Sequence, residues 1–90
     1  MELKWTSKAE SDLARLYGFL ALADKAAAHT VQKLVAAPTR LLNNPRLGER
    51  IEEFDPREVR RILVGRYEMR YEIQQSAIYL LRIWHTREGR

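Results

Sequence analysis

The sequence predicts an α+β domain in which a helical hairpin covers one face of a small antiparallel sheet, in the order β-α-α-β-β-β-β. Three observations carry this prediction. Apolar residues recur at helical spacing between Ser7 and Leu42. From Arg50 onward they recur at every second position. Two short loops, Gly65-Arg66 and Gln75-Ser76, then divide that second half into hairpins. A run of helices followed by a run of strands is the pattern of helices segregated to one face of an antiparallel sheet.

Each element has its own justification. Glu2 to Trp5 alternates polar and apolar and reads as a first strand. Ser7 and Glu10 have capping-box spacing, so a helix should start at Ser7. Ala9, Leu13, Leu16, Tyr17 and Leu20 then form one apolar stripe. Asp24 suits the N-cap of a second helix, on which Ala27, Val31, Leu34, Val35, Pro38, Leu41 and Leu42 share a face. Pro38 should kink or break that helix, because its ring removes a backbone bond and clashes with the preceding turn. Asn43 to Gly48 is a loop by its turn chemistry. Arg50 to Phe54 is expected as a short strand stopped by Asp55-Pro56. Val59–Val64, Tyr67–Gln74 and Ile78–Trp84 are expected as the remaining three. Glycine at the first position of Gly65-Arg66 suits a tight II′ turn.

Composition bounds the function. Ninety residues, 46% hydrophobic and 31% charged, make one domain spanning 1–90 with a single modest core. There is no cysteine, so neither a disulfide framework nor a thiolate metal site can form. No apolar run is long enough to span a membrane, and the first residues lack the features of a signal peptide, so a cytoplasmic protein without membrane association is expected. His29 and His85 lie far apart with no acidic cluster beside either, so no metal and no cofactor is expected. Nucleophile elbows and phosphate-binding glycine loops are absent from the sequence.

Charge is distributed unevenly. Residues 1–56 hold eight Lys/Arg against eight Asp/Glu, whereas residues 57–90 hold eight Arg against four Glu, so the net +4 belongs to the last third. That skew points to an acidic partner. With two-residue loops, Arg61 on one strand lies directly opposite Arg70 on the next. Like charges so opposed cost stability unless an anion sits between them. Glu68 or Glu72 can supply it internally; otherwise the pair is open to an external phosphate or carboxylate. The same register places Arg82 and Trp84 on the apolar face, with Trp84 across from Tyr67. Arg82 there must be ion-paired near the sheet edge or stand at the rim of a cleft, unless a one-residue slip of the loop moves it to the outer face. His85 is either a solvated tail residue or an acid or base for metal-free RNA cleavage, with Arg61, Arg70, Arg82 and Arg87 stabilising charge.

Two stretches, VRRILVGRYEMRYEI (Val59 to Ile73) and IYLLRIWHTRE (Ile78 to Glu88), together with the strand–helix–helix–strands order, resemble the RelE/ParE superfamily of toxins from type II toxin–antitoxin modules. The resemblance covers nearly the whole chain. It implies one of two activities. RelE-like members cleave mRNA on the ribosome without metal, and the residues here that match such a role are His85, Arg82, Arg61 and Arg70. ParE-like members poison DNA gyrase and so stop replication. This chain has no lysine after Lys33 and no tyrosine after Tyr79, which with the length of its helical segment favours the ParE-like branch. The resemblance also implies a cognate antitoxin, acidic and partly disordered until it binds. On this reading Leu13, Leu16, Tyr17, Arg57, Arg61 and Arg70 receive the antitoxin, while Arg82, His85, Arg87 and Arg90 meet the target.

Overall fold

A computed structural model describes residues 1–21 and 25–88. Asp24 and Arg90, and the side chains of Leu20 and Ala27, for which the sequence makes specific expectations, lie outside the described residues. The architecture is α+β. Strand β1 (Glu2–Trp5) leads into helices α1 (Ser7–Ala21), α2 (Lys25–Ala36) and the short α3 (Thr39–Asn43). Strands β2 (Glu49–Arg50), β3 (Glu58–Val64), β4 (Tyr67–Gln74) and β5 (Ala77–His85) follow. The sheet order is β1-β5-β4-β3-β2, antiparallel throughout except that β1 runs parallel to β5.

Three local expectations are corrected, and a further one, a kink or break at Pro38, is met as a break. Thr6, not Ser7, caps α1: its hydroxyl accepts the Ala9 N–H (3.2 Å) while donating to the Leu80 carbonyl (2.6 Å). Both residues carry a hydroxyl, and the carbonyl on β5 selects between them. Pro38 breaks the second helix outright, ending α2 at Ala36 and standing as N-cap of α3. The segment expected as a strand from Arg50 to Phe54 pairs only through Glu49 and Arg50, opposite Arg61 and Arg60. It then curls into a 3₁₀ turn, Glu52–Phe54, so that Phe54 reaches the arginine side of the sheet.

The third correction matters most for the surface. The β3–β4 pairing is as expected, including Arg61 opposite Arg70, with Gly65 at φ +60° in the two-residue loop. Between β4 and β5 the register shifts: Tyr71 pairs with Leu80, but Arg70 pairs with Arg82, leaving Leu81 as an extra residue. A bulge turns every later side chain to the opposite face. Ile83 therefore enters the core, Arg82 and Trp84 leave the apolar face, Trp84 stands opposite Glu68 rather than Tyr67, and His85 pairs with Tyr67.

The core lies between the helices and one sheet face. Ala9, Leu16, Leu34 and Leu41 pack against Ile62, Met69, Tyr71, Ile78, Leu80 and Ile83. Tyr71 is fully buried, yet its hydroxyl donates to the Pro45 carbonyl (2.7 Å) and accepts the Gly48 N–H (2.9 Å), pinning the loop before β2. A Cβ on Gly48 would stand 2.5 Å from the Arg61 carbonyl and 2.7 Å from that hydroxyl. Only glycine fits this approach.

Candidate functional site

Three surfaces collect the residues that the sequence singles out. The first is the sheet face away from the helices. The bulge aligns Arg61, Arg70 and Arg82 in one row across β3, β4 and β5. Each is matched to a carboxylate. Arg70 Nε–H donates to Glu68 (3.0 Å), and Arg61 lies 3.7 Å from Glu68 and 3.4 Å from Glu49. Arg57 forks onto Glu72 (2.8 and 3.1 Å). The Arg70 guanidinium also sits 4.6 Å from the centre of the Trp84 ring. Internal neutralisation of the Arg61–Arg70 pair, one of the two readings open from sequence, is thus what the structure contains, by Glu68, while Glu72 is taken by Arg57.

Arg82 is held from the side rather than buried in the core. Its Nε–H and Nη2–H donate to the two oxygens of Asp12 on α1 (2.8 and 3.2 Å), and the Ile83 backbone N–H donates to the same carboxylate (2.9 Å). Asp12 is 6% exposed. It takes over where β1 ends, satisfying a β5 N–H that has no strand beside it. Burial alone would raise its pKa, but the Arg82 and Ile83 hydrogen bonds and the nearby charges of Arg82 and Arg15 outweigh this and lower it.

The second surface is a cleft of about 300 Å³ at the end of the molecule, where α2 meets the β3–β4 turn; Thr30, Lys33, Gly65, Arg66, Tyr67 and His85 line it. The His85 ring stands edge-on to Tyr67 at 5.1 Å. Its Nδ1 accepts the Arg87 N–H (3.0 Å), and the Thr86 N–H donates to the Arg66 carbonyl (2.9 Å), fastening the chain end to the turn. His85 is therefore on the helix side of the sheet, whereas Arg61, Arg70 and Arg82 are on the other. The four residues that would have to converge on one RNA phosphate are not brought together.

The third surface is an apolar groove of about 590 Å³ between α1, α2 and β1, lined by Trp5, Leu13, Ala14, Tyr17, Val31 and Val35. Tyr17 and Val35 are about half exposed, at 56% and 48%. Leu13 and Tyr17 thus stand where a partner can reach them. Leu16 does not: at 4% exposure it belongs to the core, since it lies one position round the helix from the groove. Val31 and Val35 are groove residues that the sequence places only on an apolar helix face, and Trp5 is one that it places only in the first strand. Lys33 and Arg66 of the cleft carried no sequence signal beyond their charge. Among the described residues, no group of three or more His, Cys, Asp or Glu side chains is placed to hold a metal ion, and no helix is long and apolar enough to cross a membrane.

Comparison with known proteins agrees with this fold. A chain from the chromosomal ParDE toxin–antitoxin system of P. aeruginosa superposes with a TM-score of 0.78 and 26% identity, covering 94% of this chain and 95% of that one. Comparison with curated proteins gives no match. The family model described as the ParE toxin of the type II toxin–antitoxin system parDE matches residues 3–89, from β1 through the fastened tail that closes the cleft, and the chain therefore belongs to the ParE toxin family.

Proposed function

We propose that this toxin acts by inhibiting DNA gyrase, and so replication, and that a cognate antitoxin neutralises it. The observation that carries the reading, beside family membership, is the separation of His85 from Arg61, Arg70 and Arg82 by the sheet. Metal-free RNA cleavage needs an acid or base and its charge-stabilising cations around one phosphate. This fold divides His85 from the three sheet-face arginines that the ribonuclease reading requires, which suits binding better than cutting, and ribosome-dependent mRNA cleavage is the competing outcome.

The target contact is assigned to the chain end, with His85, Arg87 and Arg90 the residues offered to gyrase. Arg82, clamped by Asp12, serves that surface by holding β5 in place. The antitoxin is assigned two contacts. An amphipathic helix fits the groove around Leu13 and Tyr17. An acidic, initially disordered segment then crosses to Arg57, Arg61 and Arg70, where it competes with Glu68 and Glu72 for the guanidinium groups. No cofactor takes part, and the setting is the cytoplasm.

Pulse-labelling of bacterial cells after induction of the chain tests the function. Thymidine incorporation should fall while amino-acid incorporation continues through the first minutes. Amino-acid incorporation that stops first, with mRNA cut at codons, would sink the gyrase reading. Co-expression with a cognate antitoxin should restore growth.

A further inference from the structure

The outer-face arginines are each matched to a carboxylate, but the cations at the opposite end are not. Among the described residues, Lys33, Arg66 and Arg87 make no ion pair. All three gather where α2, the Gly65-Arg66 turn and the end of β5 meet. The cleft there has Lys33, Arg66 and His85 in its wall and no Asp or Glu among its lining residues. Converging cations without a counter-charge is unfavourable in the free protein and becomes favourable once an anion enters.

The donors are arranged rather than scattered. The Arg87 N–H occupies His85 Nδ1, which leaves Nε2 as the nitrogen that carries the ring proton and can donate. Tyr67 packs edge-on against the imidazole and holds its plane. The Arg66 turn is tied to Thr86 through its carbonyl, so its position relative to His85 is set by backbone. The Thr30 hydroxyl donates instead to the Ala26 carbonyl (3.4 Å), leaving Lys33, Arg66, His85 and the Tyr67 hydroxyl as the side-chain donors of the lining. Several donors, two of them cationic, suit a tetrahedral phosphate with several acceptor oxygens better than a planar carboxylate with two. A volume of about 300 Å³ is at the small end of ligand pockets, room for one nucleotide-sized group.

The geometry points to this cleft as a phosphate-binding site, occupied by the phosphate of a free nucleotide or of a nucleic-acid backbone. The site shares His85 with the surface offered to gyrase, and its test uses no gyrase, so either reading can fail without the other. The isolated full-length chain is titrated at low salt with AMP, and separately with a short DNA duplex, while backbone and imidazole NMR signals are followed. Signals of Lys33, Arg66 and His85 should shift together. The K33A/R66A double variant should weaken binding by about tenfold or more, and R66A alone by less. R50A, remote from the cleft and paired with Asp55, should bind as wild type. Circular dichroism establishes that each variant is folded. Saturable AMP binding identifies the free nucleotide as the source; duplex binding without AMP binding identifies the backbone. Absence of both, or binding that survives K33A/R66A unchanged, overturns the proposal.

Discussion

Replacing Asp12 with alanine should destabilise the protein far more than an ordinary charge deletion on a helix. The carboxylate, 7% exposed at its side chain, serves Arg82 and the Ile83 N–H together. Its loss leaves a buried backbone donor unsatisfied, a cost of about 1–3 kcal/mol. Arg82 also loses this ion pair. Because that side chain is 32% exposed, water recovers part of the loss, and about 1 kcal/mol is the appropriate addition. The sum, about 2–4 kcal/mol, is a large part of the total stability of a small domain. It corresponds to a fall in Tm of roughly 10–30 °C. Asp12→Asn separates the two contributions. Its amide oxygen can still accept the Ile83 N–H, so it should cost only about 1–2 kcal/mol. Urea denaturation of D12A, D12N, R82A and D12A/R82A measures all of this, with a coupling of about 1–2 kcal/mol expected between the two positions. If D12A lies within about 0.5 kcal/mol of wild type, Asp12 does not hold β5 and the reasoning fails.

Other perturbations follow from the same contacts. Asp12, Glu58 and Glu72 all have lowered pKa values: for Asp12, hydrogen bonds and charge outweigh burial, for Glu58 the Arg60 hydrogen bond leads, and for Glu72 the Arg57 hydrogen bond leads. A carboxylate with a depressed folded pKa stabilises the fold above its unfolded pKa and loses that contribution as pH falls through the folded value. Tm should therefore be flat from pH 7 to ~5 and fall steeply below ~4, and a Tm that holds to pH ~3 would contradict the ion-pair assignments. Gly48→Ala should cost about 1–3 kcal/mol by forcing the Arg61 carbonyl and Tyr71 hydroxyl apart, read by the same denaturation curves. Tyr71→Phe should cost about 1–2 kcal/mol by orphaning the Gly48 N–H and Pro45 carbonyl. Gly18 lies within α1 with open space around it, so Gly18→Ala should stabilise by about 0.5–1 kcal/mol; no gain in Tm would mean that this part of α1 is not helical in solution.

What the sequence reveals of this fold depends on how local the determining contact is. The β3–β4 register, including Arg61 opposite Arg70, follows from a two-residue loop with glycine at its first position, and all of that information lies within a few residues. The bulge at Leu81 does not. Leu81 is as apolar as its neighbours, and the groups gripping this part of β5, Thr6 and Asp12, are some seventy residues away in sequence (separations of 74 and 70). Missing it reversed Arg82, Ile83 and Trp84, which is why the arginine row and the isolation of His85 were invisible before the structure. The groove illustrates a different limit. Leu13–Tyr17 and Val31–Val35 are recognisable as apolar stripes, but spacing alone does not tell a stripe buried in the core from one left half open. Phe54 misled for a third reason: a short run between a loop and Asp55-Pro56 resembles a strand even when its aromatic residue folds over to meet Arg57 and Arg70.

The proposed function is that this ParE-family toxin disables gyrase and does not cut RNA. The most direct measurement is the supercoiling of relaxed plasmid by purified gyrase as the toxin is titrated in, with mRNA on translating ribosomes incubated with the same preparation. The account predicts progressive loss of supercoiled product and intact mRNA. Full supercoiling together with mRNA cleaved on the ribosome would contradict it.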